Sequence, residues 1–174
     1  MGGGSLEMWK AYFGLGCKII GIDINPTCKQ HETDGIEVFI GSQDDPSVIN
    51  AVAANYPQID IAIDDGSHRS PHMIGSFNLL YHRVSPNGVY LVEDTHTNYW
   101  PDYEGGLNKP GTFIEFCKSK VDEIGAVTSR GALELTPFTT STDSVTFYDS
   151  VVVFEKRPQS SRQAPVTHSM GAQA

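Results

Sequence analysis

The sequence predicts an α/β fold, a doubly wound and mostly parallel sheet that finishes in a C-terminal antiparallel hairpin. Three observations predict it. Short β-branched or aromatic runs alternate with stretches of helical periodicity. The runs are bounded by Gly, Pro or Asp, as buried parallel strands are. The last two runs stand too close together for a helix between them, so they should pair antiparallel.

Ser5 to Phe13 places Leu6, Trp9 and Phe13 at helical spacing. Lys18 to Ile24 is a short apolar run that closes on Asp23 and Pro26, and Ile36 to Gly41 is a second. Pro46 to Asn55 reads as a helix, with Asp45 as its N-cap and Pro46 in its first turn. Ile59 to Asp65 is the third strand. Met73, Phe77, Leu80 and Tyr81 then form a helical stripe, and Pro86-Asn87-Gly88 turns the chain into a strand over Gly88 to Asp94. Phe113, Phe116, Cys117 and Val121 mark another helix. Ser144 to Tyr148 and Ser150 to Glu155 are the hairpin strands. From Arg157 the chain is rich in Pro, Gln, Ser, Arg and Ala, so a domain over 1–156 and a disordered tail over 157–174 are expected.

Composition narrows the function. A formal charge of −9 argues against nucleic acid or an anionic membrane as partner, since either would want clustered Lys and Arg. No apolar run is long enough to span a bilayer, and no basic-then-apolar leader is visible. Three cysteines, Cys17, Cys28 and Cys117, lack the spacing of a zinc or redox motif. They read as buried or half-buried residues of a reduced, cytoplasmic protein.

In an open α/β sheet, ligands bind beyond the carboxyl ends of the strands. Those ends carry Asp23, then Ser42-Gln43-Asp44, then Asp64-Asp65-Gly66-Ser67-His68, then Glu93-Asp94-Thr95-His96. Gly2-Gly3-Gly4-Ser5 precedes the first helix, where free N–H groups can meet a carboxylate or phosphate. Asp23 follows Gly4 by 19 residues, the place of an acid for ribose hydroxyls in a nicotinamide cofactor or S-adenosylmethionine alike. Asp65, Glu93 and Asp94 should converge at adjacent strand ends. Three carboxylates so close need protonation or a cation, and hard oxygen donors suit Mg²⁺, with Mn²⁺ and Ca²⁺ as alternatives. The plainer alternative is that some of them cap helices or bind Arg. His68, three residues past Asp65, can serve as general base. His72 and His96 are nearer to a substrate role than His31 and His82, which read as surface residues. Tyr99, Trp100 and Tyr103 either line an acceptor pocket or pack locally.

The runs GGSLEMW at 3–9, GIDINP at 21–26, GSQDDP at 41–46, IDDGSH at 63–68 and GVYLVEDTHTNYW at 88–100 carry a family resemblance. Over residues 2–156 the chain resembles the Rossmann-like class I S-adenosylmethionine-dependent O-methyltransferases. Within them it is similar to the metal-dependent macrolide sugar O-methyltransferases and to cephalosporin-hydroxylase-type relatives. The resemblance implies S-adenosylmethionine and Mg²⁺ (or Mn²⁺) as cofactors, with Asp65, Glu93 and Asp94 on the metal and His68 as base. It places Asp23 at the ribose, Gln43 by the adenine, and Gly3, Gly4, Ser5 and Asp64 near the methionine end. A small-molecule acceptor such as a sugar follows, and a homo-oligomer is left open. The rival readings are a nicotinamide-dependent oxidoreductase, which shares Asp23, and a non-catalytic remnant.

Those enzymes begin their domain with a central strand ending in an acid before the glycine turn. Here Met1 falls inside that turn, so the N-terminal central strand is missing from the sequence. An upstream start is expected for the natural protein, and poor folding and weak cofactor binding for a chain starting at Met1. Each buried backbone group left unpaired costs about 1–3 kcal/mol.

Overall fold

The computed structural model describes residues 4–158. Gly3 and most of the expected tail therefore lie outside the described residues. The order is α1 (Gly4–Phe13), β1 (Ile19–Asp23), β2 (Ile36–Ile40), α2 (Pro46–Asn55), β3 (Ile59–Asp64), α3 (Ser70–Leu80), β4 (Val84–Val92), α4 (Phe113–Gly125), α5 (Pro137–Ser141), β5 (Thr142–Tyr148) and β6 (Val151–Lys156). Short 3₁₀ turns fill several of the connections.

Local chemistry sets the helix starts. Asp45 accepts from the Ser47 N–H at 2.8 Å, and Pro46 opens α2 with a preset φ. Thr112 caps α4 by accepting from Glu115 N–H at 3.4 Å, and Phe113, Ile114 and Cys117 bury one face of that helix. Thr136 and Thr139 form a reciprocal capping box at α5, a helix the sequence reading lacked.

The strands form two sheets. β1 and β2 pair in parallel, and a four-stranded sheet runs in the order β3-β4-β6-β5. β3 and β4 are parallel, while β6 is antiparallel to both β4 and β5, the latter pairing being what the short Tyr148–Val151 link requires. β1 and β3 do not pair with one another among the described residues. The single sheet that the sequence predicts is interrupted there, between β1 and β3, among the described residues.

β4 also corrects the sequence reading. It begins at Val84, not at Gly88, and runs through Pro86. Ile59 pairs with Val84 and Ile61 with Val89, so Ser85 to Gly88 form a bulge within the strand. Gly88 is needed in it, because a Cβ would stand 2.5 Å from Asp60 O.

The core lies between the four-stranded sheet and α3 and α4. Met73, Phe77, Tyr81, Tyr90, Val92, Phe113, Cys117, Val152 and Phe154 are buried together. Phe77 stacks on Tyr81 at 4.6 Å and meets Tyr90 edge-on at 5.2 Å. Burial pushes the Tyr81 hydroxyl up to about 12. Cys28 and Cys117 are buried and Cys17 is half-buried, as expected of them.

Candidate metal and cofactor site

Parallel pairing brings the two acid-bearing strand ends level. Asp64 pairs with Val92, and Glu93 N–H donates to Asp64 O at 2.9 Å. Asp65 therefore leaves β3 beside the point where Glu93 and Asp94 leave β4. Both loops then turn sharply. His68 has φ +56 and Asp94 φ +52, left-handed backbone that costs a side-chain-bearing residue about 1–3 kcal/mol. Thr97 holds the two turns together, with its hydroxyl 2.8 Å from His68 O and 2.8 Å from Asp94 O.

These turns bring three side chains to one point. One donor atom each from Asp65, His68 and Asp94 lie within 4.8 Å of one another. His68 Nε2 stands 3.8 Å from Asp94 Oδ2, and His68 Nδ1 is buried with no hydrogen-bond partner. His96 approaches from the other side, with Nδ1 3.8 Å from Asp94 Oδ1 and 3.0 Å from Ser150 Oγ. Glu93 lies alongside, but its carboxylate is not among the three that meet.

Electrostatics favours a cation here. Burial raises the Asp65 carboxyl above its usual range, and the Asp94 charge adds to this while His68 opposes it. Burial also raises Glu93, with Asp65 and then Asp94 contributing. Among the described residues no Lys or Arg forms an ion pair with these acids. Uncompensated acids, an orphaned imidazole nitrogen and oxygen-rich donors fit a hard divalent ion.

The expected cofactor residues sit mostly on the other sheet. Gly4 and Ser5 are exposed at the start of α1, and Asp23 is exposed at the end of β1, where Oδ1 accepts from Asn25 N–H at 2.8 Å. Gln43, just past β2, and Asp64, at the end of β3, are joined to each other at 2.8 and 3.0 Å. Thr97 and Ser76, both in contact with site residues, had no signal in the sequence beyond lying near the acidic motifs. A cleft of about 400 Å³ opens beside Thr95 and His96, lined by Tyr99, Phe147 and Tyr148 among others. Of the other two aromatic residues, Trp100 packs between His96 at 4.7 Å and Tyr103 at 6.0 Å.

No family model matches the chain. Among curated proteins it is 36% identical over 162 residues to the 8-demethyl-8-alpha-L-rhamnosyl tetracenomycin-C 2'-O-methyltransferase of Streptomyces olivaceus, covering 91% of this chain and 42% of that protein. It is 44% identical over 128 residues to the demethylmacrocin O-methyltransferase of Streptomyces fradiae, covering 71% of this chain and 31% of that protein. The chain is a homologue of the antibiotic sugar O-methyltransferases. The match extends to structure. MycE, a methyltransferase of the mycinamycin biosynthetic pathway solved with Mg and SAH, superposes with a TM-score of 0.80 at 33% identity. That superposition covers 91% of this chain and 42% of MycE. A second MycE structure, holding Mg, SAH and mycinamycin VI, gives a TM-score of 0.81. This homologue thus spans about two fifths or less of the curated sugar O-methyltransferases it matches.

Proposed function

We propose that the chain carries the methyl-transfer site of a divalent-metal-assisted O-methyltransferase, which moves the methyl of S-adenosylmethionine to a hydroxyl of a sugar or a similar small polar metabolite. The observation that carries this reading is the meeting of Asp65, His68 and Asp94 at adjacent strand ends, in a fold shared with a methyltransferase solved with Mg and SAH.

Asp65 and Asp94 would hold the ion, with Glu93 adding negative charge beside them. A bound Mg²⁺ or Mn²⁺ would supply orientation and a lowered pKa for the acceptor hydroxyl. His68 would take the hydroxyl proton on its imidazole. The oxygen then forms a bond to the methyl carbon as the carbon–sulfur bond breaks, and the sulfur leaves with that electron pair. Asp23 would hold the ribose hydroxyls from the end of β1, and Gly4 and Ser5 would face the methionine end. Gln43 would lie by the adenine and Asp64 near the methionine end, with their side chains joined to each other. Alignment of the two reactants supplies much of the acceleration in reactions of this kind.

The test is transfer of labelled methyl from S-adenosylmethionine to rhamnosyl tetracenomycin and demethylmacrocin, beside calorimetry with SAH. Weak but measurable SAH binding is expected, with Mg²⁺-dependent transfer that stops in EDTA. His68→Ala should cut turnover by about 10²-fold or more and leave SAH binding nearly unchanged. Undiminished transfer in excess chelator would overturn the metal, and absence of SAH binding would overturn the activity.

A further inference from the structure

A second polar cluster stands behind the acids, and it is organised by one amide. Gln43 lies just past the end of β2, across the interruption from β3. Its Nε2 donates to Asp64 Oδ1 at 2.8 Å and Oδ2 at 3.0 Å, and lies 3.3 Å from Ser76 Oγ. Its Oε1 accepts from Ser67 N–H at 2.7 Å. A primary amide offers donor and acceptor side by side in one plane, which neither a carboxylate nor an ammonium does. Gln43 therefore ties the last residue of β3 to the middle of the turn that carries Asp65 and His68.

The neighbours fit this tie. Asp64 is 8% exposed and also accepts from the Ser76 hydroxyl and from Tyr90 OH at 3.3 Å, so the anchor end is fixed by the core. A Cβ at position 66 would collide with the Gln43 side chain, so the turn closes over the amide only with glycine there. Ser67 Oγ lies 2.8 Å from His72 Nδ1 on α3, which braces the turn from its other side.

We propose that Gln43 is a positioning residue for the metal site, holding the Asp65–His68 turn through the Ser67 amide. This rests on the reading of Asp65 and His68 as site residues. His68 sits at φ +56, a conformation that persists only where its surroundings enforce it. Releasing Ser67 N–H removes one enforcing contact next in sequence to His68. The backbone then relaxes toward negative φ and carries the imidazole away from Asp94.

The test uses the full chain with Mn²⁺ as probe, comparing wild type with Gln43→Met, which keeps length and volume but loses both polar groups. Hydrogen exchange should find the Ser67 amide of wild type protected well beyond an open-turn amide. In Gln43→Met that protection should fall about tenfold or more, and Mn²⁺ affinity should weaken about tenfold, as when a supporting partner of a metal ligand is lost. Exchange in β4 and β6 should not change, which a merely structural role would not leave intact. If Gln43→Met does not fold, wild-type protection decides alone, and a Ser67 amide exchanging at the open-turn rate overturns the proposal. Unchanged Mn²⁺ affinity in a folded Gln43→Met overturns it as well. Wild type that binds no Mn²⁺ while Ser67 stays protected overturns the metal reading itself, and with it the purpose assigned to Gln43.

Discussion

The half of the molecule built on β3, β4, β6 and β5 buries Phe77, Tyr90, Phe113 and Phe154 at 4% exposure or less, whereas α1 and β1 bury no residue. Ile19, Ile20 and Ile22 have the β-branched character of a strand covered on both faces, yet all three stay half-buried. β1 has a strand partner on one side alone among the described residues, while β4 and β6 have partners on both. The difference separates the two jobs of the site. The acids proposed to hold a metal grow from the well-packed half, so their geometry is fixed by core packing and parallel pairing. Asp23, Gly4 and Ser5 grow from α1 and β1, which bury no residue, so a ligand has more ordering left to do there.

The largest expected effect is on stability. Phe154→Ala removes a fully buried ring 4.8 Å from Phe77 and should cost about 3–5 kcal/mol in urea unfolding. Ile22→Ala in β1 should cost about 1 kcal/mol or less, because the side chain is half-exposed. Equal costs would break the comparison.

Thiol labelling in rising urea sharpens it. Cys17 should react first and Cys28 next, with Cys117 last, protected until the four-stranded half opens globally. Burial also pushes the Cys117 thiol far up, which keeps it from the reactive thiolate form. Labelling of Cys117 together with Cys28 would mean that the halves open as one.

A smaller effect should appear on adding S-adenosylmethionine. Hydrogen exchange should slow over residues 4–23 and change little over β4 and β6. The opposite pattern would move the cofactor away from Asp23.

Much of this was legible where the chemistry is local. α2 was readable to the residue because Asp45 caps it and Pro46 opens it. The ends of β1, β2 and β3 fell within a residue of expectation, since each apolar run stops at an acid or a glycine. The start of β4 was hidden because Pro-Asn-Gly marks a turn in isolation, and only pairing with β3 reveals a bulge. The convergence of Asp65 and Asp94 followed from strand order, but the left-handed backbone of His68 and Asp94 did not. It depends on Thr97 joining two loops 29 residues apart. The link between Gln43 and Asp64 was likewise invisible, because it spans 21 residues and two sheets.

Titrating Mn²⁺ into the wild-type chain and into Asp65→Ala, with the free ion followed by electron paramagnetic resonance, tests the metal site without needing an acceptor. One bound ion per wild-type chain, lost in Asp65→Ala with the melting transition retained, is the expected result. Equal binding by both chains, or none by wild type, would contradict a metal held between the ends of β3 and β4.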